Sequence, residues 1–145
     1  MAQMIAVVNA AFAIETFLDG TRTDEGRMAE MMTTGEFLVA ETEASKIVAC
    51  VYVERRGEHG YFGMLSVDPT YQQNGLGRAM VEAAENYCRR QGCSKMDITV
   101  LSLRPELLPF YCHLGYVETG TEEFHPSRPP KAGIECHCIV MSKQL

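Results

Sequence analysis

The chain has 145 residues, 46% of them apolar, and a net charge of −6. This length and apolar content predict one domain over residues 1–145 with a full hydrophobic core, and they exclude a disordered chain. The acidic balance argues against nucleic acid or a membrane surface as a partner. No apolar run approaches membrane-spanning length, and no signal-peptide pattern is present. We therefore expect a cytoplasmic protein whose six cysteines are reduced thiols.

Hydrophobic periodicity predicts helices and strands in an alternating order along the chain. A helix over 2–16 is followed by a second one that Thr23 or Asp24 caps and that runs to about Met32. The remaining predicted elements are strands 37–42, 47–54 and 61–67, a helix 75–91, a strand 96–102, a helix 105–114 and a terminal hairpin of strands 116–122 and 134–143. Pro105 suits the first turn of its helix, and Gly115 suits the left-handed position that ends it.

The most informative stretch is a glycine loop between the strand 61–67 and the helix that follows. It reads Gln72-x-x-Gly75-x-Gly77 and comes directly after Val-Asp-Pro. Such a loop presents backbone N–H groups at the positive end of a helix dipole, and its glycines let a bulky anion approach. The loop therefore predicts a phosphate site, in particular one for a diphosphate.

Two other nucleotide motifs compete for this loop. A P-loop needs a Lys-Ser or Lys-Thr pair after its second glycine, and none is present. A dinucleotide fingerprint needs a third glycine where the chain has Met80, although Asp97 lies at a suitable distance for a ribose contact. The dinucleotide fingerprint stays open as an alternative, and it predicts affinity for NAD.

A second motif extends the pattern towards the C-terminus. Residues 108–116 place an aromatic-Tyr pair before Leu-Gly-Tyr, as Phe110, Tyr111, Leu114, Gly115 and Tyr116. Together with the loop at residues 72–77, in this order and at this separation, it resembles the GNAT superfamily of N-acetyltransferases. The resemblance covers roughly residues 37–143.

The resemblance implies an α/β (α+β) fold. We expect a mixed, mostly antiparallel twisted sheet flanked by helices, with a V-shaped splay between the two central parallel strands, 61–67 and 96–102. The family normally begins with a further strand. Here the chain starts next to the first helix, so we expect that strand to be absent or lost with a preceding segment, leaving an open edge on strand 37–42.

The resemblance also implies acetyl-CoA as co-substrate and a set of site residues. Backbone groups of Leu65, Ser66 and Val67 would pair with the pantetheine arm. Backbone N–H groups of the loop would hold the diphosphate, from the residues Gln72, Gln73, Asn74, Gly75, Leu76, Gly77 and Arg78. Tyr111 occupies the place of the family's proton donor and cofactor contact, and a phenol can protonate a departing thiolate.

The general base is not identifiable from the sequence. Glu15 is the candidate for a base or a substrate contact, because it ends the first predicted helix near the loop that shapes the acceptor pocket in the family. Glu54, His59 and Asp97 are further candidates, acting through water. An equally simple interpretation is that Glu15 is a solvated helix residue.

The expected reaction is direct attack of an amine on acetyl-CoA in a ternary complex, with a small-molecule or peptide amine as acceptor. A ping-pong route through Cys112 and a non-catalytic acyl-CoA-binding module are the alternatives. Zinc ligation by Cys136, His137 and Cys138 is a weaker option, because strand alternation makes Cys136 and Cys138 ordinary core residues; we expect no metal. A homodimer is consistent with the family.

Overall fold

The computed structural model describes residues 1–15, 22–72, 74–124, 131, 133 and 135–145. The first elements are helices α1 (Ala2–Phe12) and α2 (Glu25–Met31). Three strands follow, β1 (Glu36–Glu41), β2 (Ile47–Arg56) and β3 (His59–Val67). The remaining elements are helix α3 (Leu76–Arg90), strand β4 (Lys95–Leu101), helix α4 (Leu107–His113) and strands β5 (Val117–Glu123) and β6 (His137–Gln144).

The described strands form one mixed sheet in the order β1-β2-β3-β4-β6-β5. The pair β3–β4 is parallel, whereas the other neighbours run antiparallel. This arrangement confirms the predicted fold class. Among the described residues, β1 is the first strand and lies at an edge of the sheet, as expected.

Local hydrogen bonds explain where the second helix begins. The Asp24 carboxylate accepts a hydrogen bond from the Arg27 N–H at 3.0 Å, which identifies Asp24 as the N-cap. Thr23 instead exchanges two hydrogen bonds with the Asn9 side chain, at 2.9 and 3.0 Å. Those bonds attach the start of α2 to α1.

The start of α4 differs from the prediction. The helix begins at Leu107, so Pro105 precedes it and the expected place of Pro105 in the first turn is wrong. Pro109 takes the third helical position instead. A proline costs little there, because the N–H of that position has no partner within the helix. Gly115, with φ of 98°, follows the end of the helix in the predicted left-handed conformation.

Each face of the sheet carries its own apolar cluster. On one face α3 and α4 cover the larger cluster, which includes Val51, Phe62, Met80 and Ile98. On the other face, α1 packs against a smaller cluster of Val8, Cys50, Tyr52 and Met64. None of the helices in the described part of the chain is long and apolar enough to cross a bilayer.

A buried charge network joins α3 to the C-terminal hairpin. The Glu85 side chain is in the core, with the residue only 3% exposed, and it accepts a hydrogen bond from the Tyr116 hydroxyl at 2.8 Å. Lys143 Nζ donates to both carboxylate oxygens, at 3.0 and 3.3 Å. These partners satisfy a charge that would otherwise be costly to bury.

Replacing Glu85 by alanine leaves the Tyr116 hydroxyl and Lys143 without their acceptor. We expect Glu85→Ala to lower the free energy of unfolding by about 1.5–3 kcal/mol, as measured by urea denaturation. The matched control is Glu82→Ala on the same helix, because Glu82 forms an exposed pair with Arg78. That control should change stability by less than about 0.5 kcal/mol. Equal losses in the two variants would contradict this account of the network.

Candidate active site

The site begins where the two parallel strands separate. β3 and β4 pair through His59–Lys95, Gly60–Met96 and Tyr61–Asp97, all at one end of the strands. Beyond that last pair no register between them continues, although β3 runs on to Val67 and β4 to Leu101. The predicted V-shaped splay is therefore present. Along residues 62–67, the edge of β3 that faces β4 has no strand partner in the described part of the chain.

A β-bulge in β3 accompanies the splay. Cys50 pairs with Ser66 and Tyr52 with Gly63, so Val51 alone faces two residues of β3. Met64, one of those two, has φ of 51°, a left-handed conformation that non-glycine residues rarely adopt. Its carbonyl accepts a hydrogen bond from the buried Ser66 hydroxyl at 2.8 Å. Backbone strain of this kind is concentrated at functional sites.

The splay opens into a cavity of about 720 Å³. Its walls come from β3 at residues 61–65 and 67, from β4 at residues 98–101, and from α4. Its lining also includes Gln72, Gly75, Gly77 and Arg78 around the start of α3, together with residues from the end of α1 and from β5. A cavity of this size and shape is typical of a site for a small molecule or cofactor.

The glycine loop opens α3 as predicted. Gly75 is the N-cap, with φ of 74°, and no side chain caps the helix. A Cβ on Gly77 would lie 3.7 Å from Phe110 and 4.0 Å from Val67, so Gly77 lies beside two other residues of the cavity wall. The backbone N–H groups at the start of α3 lack partners within the helix, which makes them suited to bind a phosphate. Gln72 ties the loop to β3 through a 3.2 Å hydrogen bond to the Val67 carbonyl.

Tyr111 lies in the cavity wall and is 8% exposed. Its ring is surrounded by Phe62, Phe110 and Tyr116, with ring centroids 5.0 to 6.1 Å away. Burial raises the pKa of the Tyr111 phenol well above its usual range, and the positive charge of Arg104 offsets part of that rise. The phenol is therefore held rigidly and protonated beside the cavity.

Glu15 also lies in the cavity wall, where it is 3% exposed. Its carboxylate accepts a hydrogen bond from Arg104 Nη1 at 2.8 Å, and Arg104 Nε pairs with Glu106 at 2.5 Å. The two carboxylates together favour the charged guanidinium. The ion pair with Arg104 therefore occupies the Glu15 carboxylate on the cavity side of the chain.

The other predicted base candidates do not line the cavity. His59 Nδ1 lies 2.7 Å from Asp97 Oδ2, and Ser142 donates to Asp97 Oδ1 at 2.6 Å, at the end where β3 and β4 still pair. Burial alone would raise the pKa of Asp97, but these hydrogen bonds outweigh it and hold the pKa below 3.8. Glu54 accepts a hydrogen bond from the Tyr52 hydroxyl at 2.5 Å and pairs with Arg56.

All six cysteines are thiols. Cys112 is exposed and does not line the cavity, whereas Cys138 does. Burial raises the pKa of the Cys138 thiol to about 11. In the described part of the chain, no three His, Cys, Asp or Glu side chains form a group that could hold a metal ion.

The structure brings several sequence-predicted residues together at the cavity, namely Glu15, Leu65, Val67, Gln72, Gly75, Gly77, Arg78 and Tyr111. Ser66, Asn74 and Leu76 are not among the residues that line it. Gln73 lies outside the described residues. No local pattern in the sequence marks Tyr61, Cys138 or the Glu122–Glu123 pair as cavity residues, because strand pairing brings them there.

Comparisons with known proteins agree with this geometry. The family model "Acetyltransferase (GNAT) domain" matches residues 7–126. The chain is 34% identical to "Probable glucosamine 6-phosphate N-acetyltransferase 2" of Oryza sativa subsp. japonica over 59% of this chain and 55% of that protein. It is 28% identical to the mycothiol acetyltransferase of Propionibacterium freudenreichii subsp. shermanii over 89% of this chain and 44% of that protein. The chain thus spans about half the length of these curated relatives.

A solved structure supplies the fold comparison. The chain superposes on a GNAT family acetyltransferase from Elizabethkingia anophelis with acetyl-CoA bound, with a TM-score of 0.72 and 19% identity. The match covers 84% of each chain. Since the family model spans most of the sequence, the chain belongs to the GNAT family of acetyltransferases. The predicted family, and acetyl-CoA as that family's acetyl donor, are confirmed.

The Asp97 network makes a prediction about pH. When folding lowers the pKa of a carboxyl group, that group stabilises the protein at pH values above its pKa in the unfolded chain. This contribution is lost as the pH falls through the pKa of the folded state. Asp97→Asn should therefore be less stable than wild type at about pH 7, and the difference should shrink below about pH 4. Urea denaturation across this range measures it, with the exposed Glu43→Gln as control. A difference that stays constant with pH would contradict the assignment.

Proposed function

We propose that this protein transfers an acetyl group from acetyl-CoA to an amine by direct attack within a ternary complex. The observation that carries the proposal is the open V between β3 and β4, with a glycine-opened helix at its mouth and Tyr111 in its wall. In this proposal the unpaired edge of β3, an anion site at the start of α3 and a protonated acid lie along one continuous cavity.

The residues present fit acetyl-CoA. When bound, this co-substrate supplies a thioester carbonyl that an amine attacks and a thiol that leaves. The free edge of β3, including Leu65, Ser66 and Val67, would hydrogen-bond the pantetheine arm as an added strand does. Backbone N–H groups of residues 72–78 would bind the diphosphate at the start of α3.

Tyr111 is assigned as the general acid. A leaving thiol has a pKa of about 8.5, so protonation by a nearby phenol helps it depart. Burial keeps the Tyr111 proton in place at neutral pH, while Arg104 stabilises negative charge that develops on the phenol oxygen. The surrounding aromatic rings fix the direction of the hydroxyl.

Glu15 is assigned as a contact at the acceptor end of the cavity. Its ion pair with Arg104 joins the end of α1 to the loop before α4, so the pair shapes the wall that an acceptor meets. The pairing argues against Glu15 as the base. We infer that the acceptor amine reacts in its neutral form and loses its proton to water.

Direct attack is favoured over a ping-pong route through a cysteine. The cavity cysteine, Cys138, keeps its proton because burial raises its pKa to about 11. The thiolate is the nucleophilic form, so Cys138 is unsuited to accept an acetyl group. Cys112 lies outside the cavity and is exposed.

One observation favours a second candidate, a non-catalytic acyl-CoA-binding module. Glu15, the predicted base candidate that lines the cavity, is held by Arg104. Such a module would bind acetyl-CoA and release no thiol with any amine. The position of Tyr111 beside the cavity favours the enzyme.

The acceptor is a small-molecule or peptide amine in this proposal. Glucosamine 6-phosphate is the first compound to test, because one relative carries that name. Activity in a single domain of residues 1–145, a cytoplasmic location and a homodimer remain predictions.

Calorimetric titration with acetyl-CoA, with NAD as the comparison ligand, tests the proposal. Binding of acetyl-CoA alone, followed by amine-dependent thiol release in a panel that includes glucosamine 6-phosphate, supports an acetyltransferase. Binding without thiol release from any amine supports the binding module. Binding of NAD alone would overturn both candidates.

Tyr111→Phe tests the assignment of the acid. The variant keeps the ring and its packing but lacks the proton, so we expect thiol release to fall about 10²–10⁴-fold. The dissociation constant for acetyl-CoA should stay unchanged in calorimetry. Tyr87→Phe, which alters a tyrosine that does not line the cavity, is the control and should keep full turnover. Full turnover in Tyr111→Phe would show that another group donates the proton.

A further inference from the structure

Tyr61 occupies the closed end of the V. It forms the last pair of β3 with β4, opposite Asp97, and its side chain packs with the cluster beneath α1. It lines the large cavity and also a second cavity of about 350 Å³, which includes Thr34, Tyr52, Glu54 and Arg56. Of the described residues that line the two cavities, Tyr61 is the one that they share. Its ring is therefore a partition between them.

Several neighbours hold this ring in place. The Arg56 guanidinium lies 4.0 Å from the ring centroid, and Arg56 is itself paired with Glu54. The Tyr52 ring meets Tyr61 edge-on, with centroids 6.4 Å apart. On the remaining side, a Cβ on Gly63 would lie 2.5 Å from the Tyr61 hydroxyl oxygen, so the hydroxyl rests against the glycine backbone.

Strand geometry indicates which part of the co-substrate would meet this partition. The anion site follows the C-terminal end of β3, and an arm that pairs with β3 would run back from Val67 towards Tyr61. The six steps from Val67 to Tyr61 advance by about 20 Å at about 3.3 Å per residue. The V narrows along that path and closes at the Tyr61–Asp97 pair. The group beyond the thioester therefore points towards the Tyr61 ring.

We propose that Tyr61 determines acyl-chain length, admitting an acetyl group and excluding longer acyl groups from the second cavity. This inference rests on the proposed function. Tyr61 selects the acyl group by the size of its side chain rather than by acid–base chemistry. Burial raises the Tyr61 pKa and keeps the phenol neutral. Arg56 acts here as a positioning residue, since it reaches the acyl group only through the Tyr61 ring.

Calorimetric titration with acetyl-CoA, butyryl-CoA and hexanoyl-CoA tests the proposal without an acceptor. We expect wild type to bind butyryl-CoA at least about 10-fold more weakly than acetyl-CoA, since a methylene that does not fit costs 10-fold or more. In Tyr61→Ala the ratio of the butyryl-CoA dissociation constant to the acetyl-CoA dissociation constant should fall by at least about 10-fold, because the two cavities become one. Tyr61→Phe, which retains the ring, should keep the wild-type ratio.

Each remaining outcome is decisive. Equal chain-length dependence in wild type and Tyr61→Ala would overturn the role of Tyr61 while leaving acetyl-CoA binding, and hence the proposed function, intact. A wild type that binds none of the three thioesters would overturn the proposed function together with this inference. If Tyr61→Ala fails to fold by circular dichroism, Tyr61→Leu replaces it and should shift the ratio in the same direction.

Discussion

After the Tyr61–Asp97 pair, β3 and β4 separate, and the cavity exists because they do not rejoin. The bulge at Met64 accompanies this separation by placing two residues of β3 opposite Val51 of β2. A central strand of a sheet normally pairs with a neighbouring strand along both of its edges. Here one edge of β3 has no strand partner over residues 62–67 in the described part of the chain, and the glycine loop, Tyr111 and Tyr61 all line the cavity beside it.

The bulge also changes which face of the sheet each side chain of β3 occupies. Phe62 packs beneath α3 and α4, whereas Met64, two residues on, packs beneath α1. Strict alternation would place both on one face, and the extra residue shifts the alternation by one. The cavity wall therefore draws residues from both apolar clusters.

The position of Tyr111, the proposed acid, is supported by contacts that reach α3 and β6. Tyr116 contacts the Tyr111 ring and hydrogen-bonds to Glu85, which Lys143 also binds. A buried charge thus fixes the corner between α4 and β5, and that corner fixes the proposed acid. A site that must present a proton in one direction gains from such support, because small displacements of a reacting group reduce rates strongly.

The splay of the two parallel strands was implied by the family resemblance, whereas periodicity and the two motifs were enough to predict the order of the elements and the glycine loop. These features depend on local chemistry, such as the left-handed conformation of Gly75 and the 3.6-residue repeat of α3. The sequence missed the start of α4, since Pro105 and Pro109 both tolerate a first helical turn and only tertiary packing chooses between them.

The residues by themselves determined the family and the fold class, and they predicted the glycine loop as the place where the co-substrate binds. Only the tertiary structure decided that Arg104 neutralises Glu15, that Asp97 binds His59 away from the cavity, and that Tyr61 separates two cavities. Each of these contacts joins residues or surfaces far apart in the chain, and their geometry depends on strand register and on a one-residue bulge. Neither leaves a periodic signal in the sequence, because both arise from packing between elements rather than within them.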